Sequence, residues 1–204
     1  MPLQVINVPP TTSQEPAGLI VVLHGWGANA QDLATVVPFL NLPDYQFVLP
    51  DAPFNHPQVA GGKAWYDFQK NNQGYYQSKQ LLNDWLLSLA KDTGVPLNRT
   101  ILSGFSQGAA MTLDVGLHLP LAGLVALSGY LHPITESPNS AIAPILLVHG
   151  RQDSVVPLSA AQKARDNLQA MGAKVQYQEF DMGHEIRPEV IALIRNFIVT
   201  QNSA

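Results

Sequence analysis

Short apolar runs recur along the chain, at residues 19–23, 46–49, 100–103, 124–127 and 145–148, and each closes on Gly, Pro or a polar turn. Runs without alternation belong to strands covered on both faces. A further segment, 175–180, reads Val-Gln-Tyr-Gln-Glu-Phe. Its alternation turns one face toward water and places it nearer a sheet edge. Helical patterns fall between the strands. Leu33, Val36, Val37 and Leu40 form an apolar stripe over 32–40. Leu81, Leu82, Trp85, Leu86 and Leu89 form another, stopped by Gly94. Residues 107–119 are apolar on most sides, as a helix packed centrally on a sheet would be. Residues 159–171 stop at Gly172, and 188–199 open on Pro188, which suits a first turn. Strands alternating with helices predict βαβ units and a mostly parallel sheet. Right-handed crossovers then put helices on both faces. With no repeat or linker in sight, residues 1–204 read as a single domain.

Composition narrows the chemistry. The chain has no Cys, which excludes a disulfide framework, a thiolate metal site and a Cys nucleophile. Eleven Lys and Arg against 15 Asp and Glu give a net charge of −4. That balance argues against a nucleic-acid or anionic-membrane surface. The first ten residues carry no basic and apolar leader, no run is long enough for a membrane span, and residues 201–204 hold no lipidation signal. A cytoplasmic protein without stable membrane insertion is expected. Residues 51–75 are the main irregular stretch, too long for a simple connector, and are expected to form a lid or binding loop.

The informative segment is Ser103-Gly104-Phe105-Ser106-Gln107-Gly108, a Gly-x-Ser-x-Gly pattern between a predicted strand and a predicted helix. A turn this sharp brings the positions two before and two after the serine against each other. Glycine at both removes the colliding side chains, and Ser106 can then hold a strained backbone with its hydroxyl presented. The pattern alone is weak, and a Gly-rich turn with a capping Ser would also fit. Its strand-to-helix context is what the chemistry requires.

A seryl hydroxyl needs a base, and the base needs an orienting carboxylate. In an α/β hydrolase these follow the serine in the order acid, then His. His132, His149 and His184 follow Ser106. His149 closes a strand and is expected to bond locally, and His132 lies in a Pro-rich loop. His184 lies between the last strand and the last helix, from where it can reach over the sheet edge. The acid belongs after the strand at 145–148, which selects Asp153, although an Asp there could also cap a helix. Asp181 and Glu185 are rivals by proximity to His184. For an oxyanion, the backbone N–H of Gln107 and a second one from 24–28, with Trp26 as donor, are the candidates.

His24-Gly25-Trp26-Gly27, Ala64-Trp65-Tyr66-Asp67, the Ser106 segment, Leu127-Ser128-Gly129-Tyr130, His149-Gly150-Arg151-Gln152-Asp153 and Gly183-His184-Glu185 follow one another in order. Together they resemble the small carboxylesterase/acyl-protein thioesterase family of α/β hydrolases. The resemblance implies a mostly parallel central sheet without a cap domain and an esterase or thioesterase that needs no cofactor and no metal. It also implies Ser106 as nucleophile, His184 as base and Asp153 as its orienter. Trp26 stands where many relatives carry a smaller apolar residue, so its indole is expected to narrow the acyl groove. Phe54, Trp65, Leu131, Val155 and Val156 are further candidates for that groove. The expected substrates are short- to medium-chain acyl esters, with acyl thioesters and lysophospholipids in range. A non-catalytic binding protein or a peptidase on the same fold remains the alternative, and a homodimer stays open.

Overall fold

The computed structural model describes residues 3–12, 15–134, 138 and 141–201. The outermost parts of both termini, read above for targeting signals, lie outside these. Seven strands form one sheet: β1 (Val5–Val8), β2 (Gly18–Leu23), β3 (Tyr45–Pro50), and then, after a separate two-stranded hairpin of β4 (Phe54–Asn55) and β5 (Lys63–Ala64), β6 (Thr100–Phe105), β7 (Gly123–Leu127), β8 (Ile145–Gly150) and β9 (Val175–Phe180). Their spatial order is β1-β3-β2-β6-β7-β8-β9. All pairings are parallel except β1 on β3. β9 is an edge strand, as its alternating pattern implies.

Among the described residues there are six α-helices: α1 (Ala30–Ala34), α2 (Val37–Leu40), α3 (Tyr75–Thr93), α4 (Gln107–Gly116), α5 (Leu158–Ala170) and α6 (Pro188–Gln201). Side chains from α3, α4 and α5 pack on one face of the sheet, around Leu82, Leu86, Met111, Leu113 and Leu168. Those from α1, α2 and α6 pack on the other, around Ile20, Val37, Leu40, Ile194 and Ile198. Successive residues of a strand point to opposite faces. Leu19 and Val21 therefore join the first cluster while Ile20 joins the second.

Some expectations need correction. The helix expected over 32–40 is two short helices, because Pro38 has no N–H to give the Ala34 carbonyl four residues back. α4 stops at Gly116, and the last bonds, His118 N to Val115 O and Leu119 N to Gly116 O, are tighter i to i−3 turns. β1 was not anticipated. Val5-Ile6-Asn7-Val8 is a short β-branched run stopped by two prolines, and it blunts the sheet edge beside β3. Residues 51–75, read as the main irregular stretch, carry local structure of their own. They hold the β4–β5 hairpin and a single 3-10 turn at Phe68–Lys70. Among the described residues no helix is long and apolar enough to cross a membrane.

Candidate active site

The parallel strands β2, β6, β7, β8 and β9 finish at one edge of the sheet, with Leu23 beside Gly104, Phe105 beside Leu127 and Gly150 beside Phe180. Ser106, Asp153, His184 and Trp26 lie on the loops leaving that edge, and Gln107 opens the helix that follows one of them.

β6 ends at Phe105 and α4 opens at Gln107, so Ser106 alone turns the chain. It does so at φ 55° and ψ −117°, a conformation costing on the order of 1–3 kcal/mol. A Cβ on Gly104 would collide with the Gly108 carbonyl, and one on Gly108 with the carbonyls of Leu23 and His24. The missing side chains are what allow this turn to close. The Ser106 N–H donates to the Leu127 carbonyl at 2.8 Å and pins the turn to β7. Gly25 approaches from the other side, where a Cβ would lie 3.2 Å from that of Ser106.

Asp153 follows β8 with its side chain buried. Its Oδ1 accepts from the N–H groups of Val155 (2.9 Å) and Val156 (2.8 Å), and its Oδ2 accepts from His184 Nδ1 at 2.7 Å. Burial pushes this carboxyl up, but the bonds from His184, Val156 and Val155 outweigh it and hold the group below its ordinary value. With Nδ1 donating to the carboxylate, Nε2 is the nitrogen left with a lone pair in the neutral ring. The His184 ring stacks at a tilt on Phe105, 4.8 Å between centroids. Among the described residues no hydrogen bond joins Ser106 Oγ to His184, and without substrate such contacts are often long. His149 is fully buried and donates from Nε2 to the Val156 carbonyl at 2.8 Å, bracing the turn that holds Asp153. The rival acids are engaged elsewhere: Asp181 pairs with Arg151, and Glu185 with Arg187.

The N–H groups of Trp26 and Gln107 find no acceptor among the described residues. The loop carrying Trp26 is braced from below. His24 Nε2 accepts from the Ala52 N–H at 3.0 Å, which fixes Nδ1 as the donor to the Gly25 carbonyl at 2.8 Å. Burial pushes this imidazole down, keeping it neutral. Gly27 N–H donates to Lys63 O at 2.9 Å, and Lys63 N–H to Ala28 O at 2.8 Å. The β4–β5 hairpin thus supports the candidate anion pocket.

A role of Gln107 beyond its N–H was not legible in the sequence. Its side-chain Oε1 accepts from the Trp65 N–H at 2.9 Å, and its Nε2 donates to the Tyr66 carbonyl at 2.8 Å. This clamp ties the segment after β5 to the start of α4.

The five groove candidates are not brought together. Trp65 is fully buried, its indole N–H bonded to the His24 carbonyl at 3.0 Å. Val156 is buried in the Asp153 turn. Phe54 lies under Gly74 in a cleft with Gln77 and Leu81. Leu131 lines a different cleft, between α3 and α4. Val155 is exposed beside Asp153. The rings that do gather are Trp26, His56 at 4.6 Å and Phe68 at 5.0 Å, with Phe68 in turn 6.4 Å from Tyr130. Phe68 and Tyr130 were missed because neither sits in a periodic pattern.

A seven-stranded, mostly parallel sheet with a serine on a strained strand-to-helix turn and an acid–histidine pair on later loops defines an α/β hydrolase. The phospholipase/carboxylesterase family matches residues 7–202, and the chain belongs to that family. It is 30% identical to acyl-protein thioesterase 1 of Neurospora crassa over 209 residues, covering 88% of this chain and 84% of the relative. The thioesterase 1 of Saccharomyces cerevisiae is also 30% identical, with 88% and 90% covered. The crystal structure of esterase PE8 superposes with a TM-score of 0.87 at 30% identity, over 98% of this chain and 99% of that one. The protein is accordingly an enzyme, a hydrolase acting on esters.

Proposed function

We propose that the protein cleaves short- to medium-chain carboxylic esters, and acyl thioesters with them, through an acyl-enzyme on Ser106. The observation that carries this reading is the 2.7 Å bond from His184 Nδ1 to an Asp153 held by two further N–H groups, at the sheet edge that presents Ser106. His184 Nε2 takes the Ser106 proton as Oγ attacks the carbonyl carbon. The N–H groups of Trp26 and Gln107 receive the oxygen that becomes negative. The imidazolium, steadied by Asp153, gives the proton to the departing alcohol or thiol. Water then attacks the acyl carbon and loses a proton to His184, and the adduct expels Ser106 Oγ, which takes that proton back as the acid leaves. No step asks for a cofactor or metal.

Thioesters enter the proposal through the names of the relatives. The preference for small acyl groups rests on the ring of Trp26 beside the anion pocket, flanked by His56 and Phe68. Tributyrin and longer triglycerides are expected to react more slowly than p-nitrophenyl butyrate.

The test is labelling with a fluorophosphonate probe. Wild type should be labelled at Ser106, and Ser106→Ala should not. Ser106→Ala and His184→Ala should each lower kcat on p-nitrophenyl butyrate by about 10⁴- to 10⁶-fold. Labelling at another residue, or a His184→Ala enzyme of near-normal rate, would overturn the assignment.

A further inference from the structure

The molecule holds a second acid–histidine pair that the proposed reaction does not use. Asp114, buried on α4, accepts from His132 Nδ1 at 2.7 Å. His132 Nε2 lies 3.2 Å from the Tyr66 hydroxyl, and that hydroxyl bonds to the hydroxyl of Tyr130. Asp114 stands eight residues beyond Ser106, about 12 Å along the helix axis at 1.5 Å per residue. At its far end the Tyr130 ring lies 6.4 Å from Phe68, which in turn lies 5.0 Å from Trp26, and the backbone beside Tyr130 packs on the nucleophile turn. Gly129, one residue before Tyr130, packs so closely on the elbow that a Cβ there would collide with Ala109 and lie 3.3 Å from the Ser106 carbonyl.

Proton counting fixes the direction of this relay when the imidazole is neutral. Its one N–H, on Nδ1, goes to the Asp114 carboxylate. Nε2 can then only accept, so Tyr66 must donate its O–H to it. The Tyr66 oxygen can in turn only accept, so Tyr130 donates to Tyr66. Burial, then the neighbouring Tyr130 hydroxyl and the Asp114 charge, push the Tyr66 hydroxyl up, and burial pushes Tyr130 up. Each phenol therefore keeps its single proton. The Tyr130 oxygen ends the chain with lone pairs and no proton to offer. Tyr66 is fully buried, whereas Tyr130 is partly exposed.

We propose that Tyr130, polarised by Asp114, His132 and Tyr66, is a specificity-determining hydrogen-bond acceptor that favours esters carrying an O–H or N–H donor near the scissile bond. The inference rests on the reading of Ser106 as nucleophile. A phenol that could rotate freely would serve donors and acceptors alike, but this one has its proton committed.

Three butyryl substrates test it in Tyr130→Phe: monobutyrin, which brings hydroxyls; S-butyryl-N-acetylcysteamine, which brings an amide N–H; and p-nitrophenyl butyrate, which brings neither. Tyr130→Phe should lower kcat/KM about 3- to 10-fold on a donor-bearing substrate, the loss of one hydrogen bond, and leave p-nitrophenyl butyrate unchanged. A loss on monobutyrin alone assigns a hydroxyl partner, and on the thioester alone an amide partner. An equal fall on all three, or no fall, overturns the proposal. His132→Phe, which leaves Tyr130 in place, should erase the same preference. Nitrogen NMR of His132 gives a reading independent of turnover: a protonated Nδ1 with an accepting Nε2 supports the relay, and a protonated Nε2 overturns it. If wild type hydrolyses none of the three esters, the serine-hydrolase reading itself has failed, and the NMR signature alone decides the relay.

Discussion

At the residue scale, two buried groups couple the site to pH. The folded state holds Asp153 below its ordinary carboxylate value, about 3.9 in an unfolded chain. Between those two values the unfolded chain binds the proton and the folded one does not, so stability rises with pH there. The contribution is complete above about pH 3.9 and is lost as pH falls through the lower folded value. Asp153→Asn should therefore be less stable than wild type at pH 7, with a gap that narrows on acidification below about pH 4. Urea unfolding at pH 7, 4 and 3 measures it, and a constant gap would speak against ionised Asp153 as a stabilising group. The same variant should lose about 10⁴-fold in kcat, because the imidazole is no longer held in the required tautomer. His24 works on the other side of neutrality. Burial lowers its folded value, so below about pH 6.5 the unfolded chain takes up the proton first and stability falls. His24→Asn should flatten the decline of stability between pH 7.5 and 5.5. An unchanged slope in the variant would show that His24 is not its source.

At the scale of elements, the strand-to-helix turn of β6 and α4 depends on two absent side chains. Gly108→Ala drives a methyl into the carbonyls of Leu23 and His24, which are backbone and cannot rotate away. The expected cost is about 1–3 kcal/mol or more. The variant should show a lowered Tm together with a lowered kcat, because β2 and the loop bearing Trp26 must shift to make room. A variant of unchanged Tm and rate would mean that the turn is looser than its geometry indicates. This element was legible because its requirement is local: Gly, Ser and Gly at fixed spacing, between an apolar run and a helical one. The split of α1 from α2 was legible in principle from Pro38, yet the apolar stripe through Leu33, Val36, Val37 and Leu40 hid it. The two short helices keep that stripe on one side, where Val37 and Leu40 are buried.

At the scale of the whole molecule, one sheet carries the two apolar clusters, and β2, β3, β6, β7 and β8 each feed both. A split of this core into independently folding parts would cut the sheet. The chain is therefore expected to unfold as a single domain, in one transition whose calorimetric enthalpy equals the van't Hoff value. Two resolved transitions would divide it. The sequence by itself determined the alternation of strands and helices, the turn at Ser106, and the order in which Asp153 and His184 follow it. These are set by periodicity, by glycine sterics and by chain direction, all of which act over a few residues. Only the tertiary structure decided that Trp65 points inward while Phe68 and Tyr130 gather near Trp26, that Gln107 clamps the segment after β5, and that Asp114 meets His132 and Tyr66. Those contacts join residues far apart on loops of no regular period, and which side of a loop faces the core is settled by the neighbours packed against it.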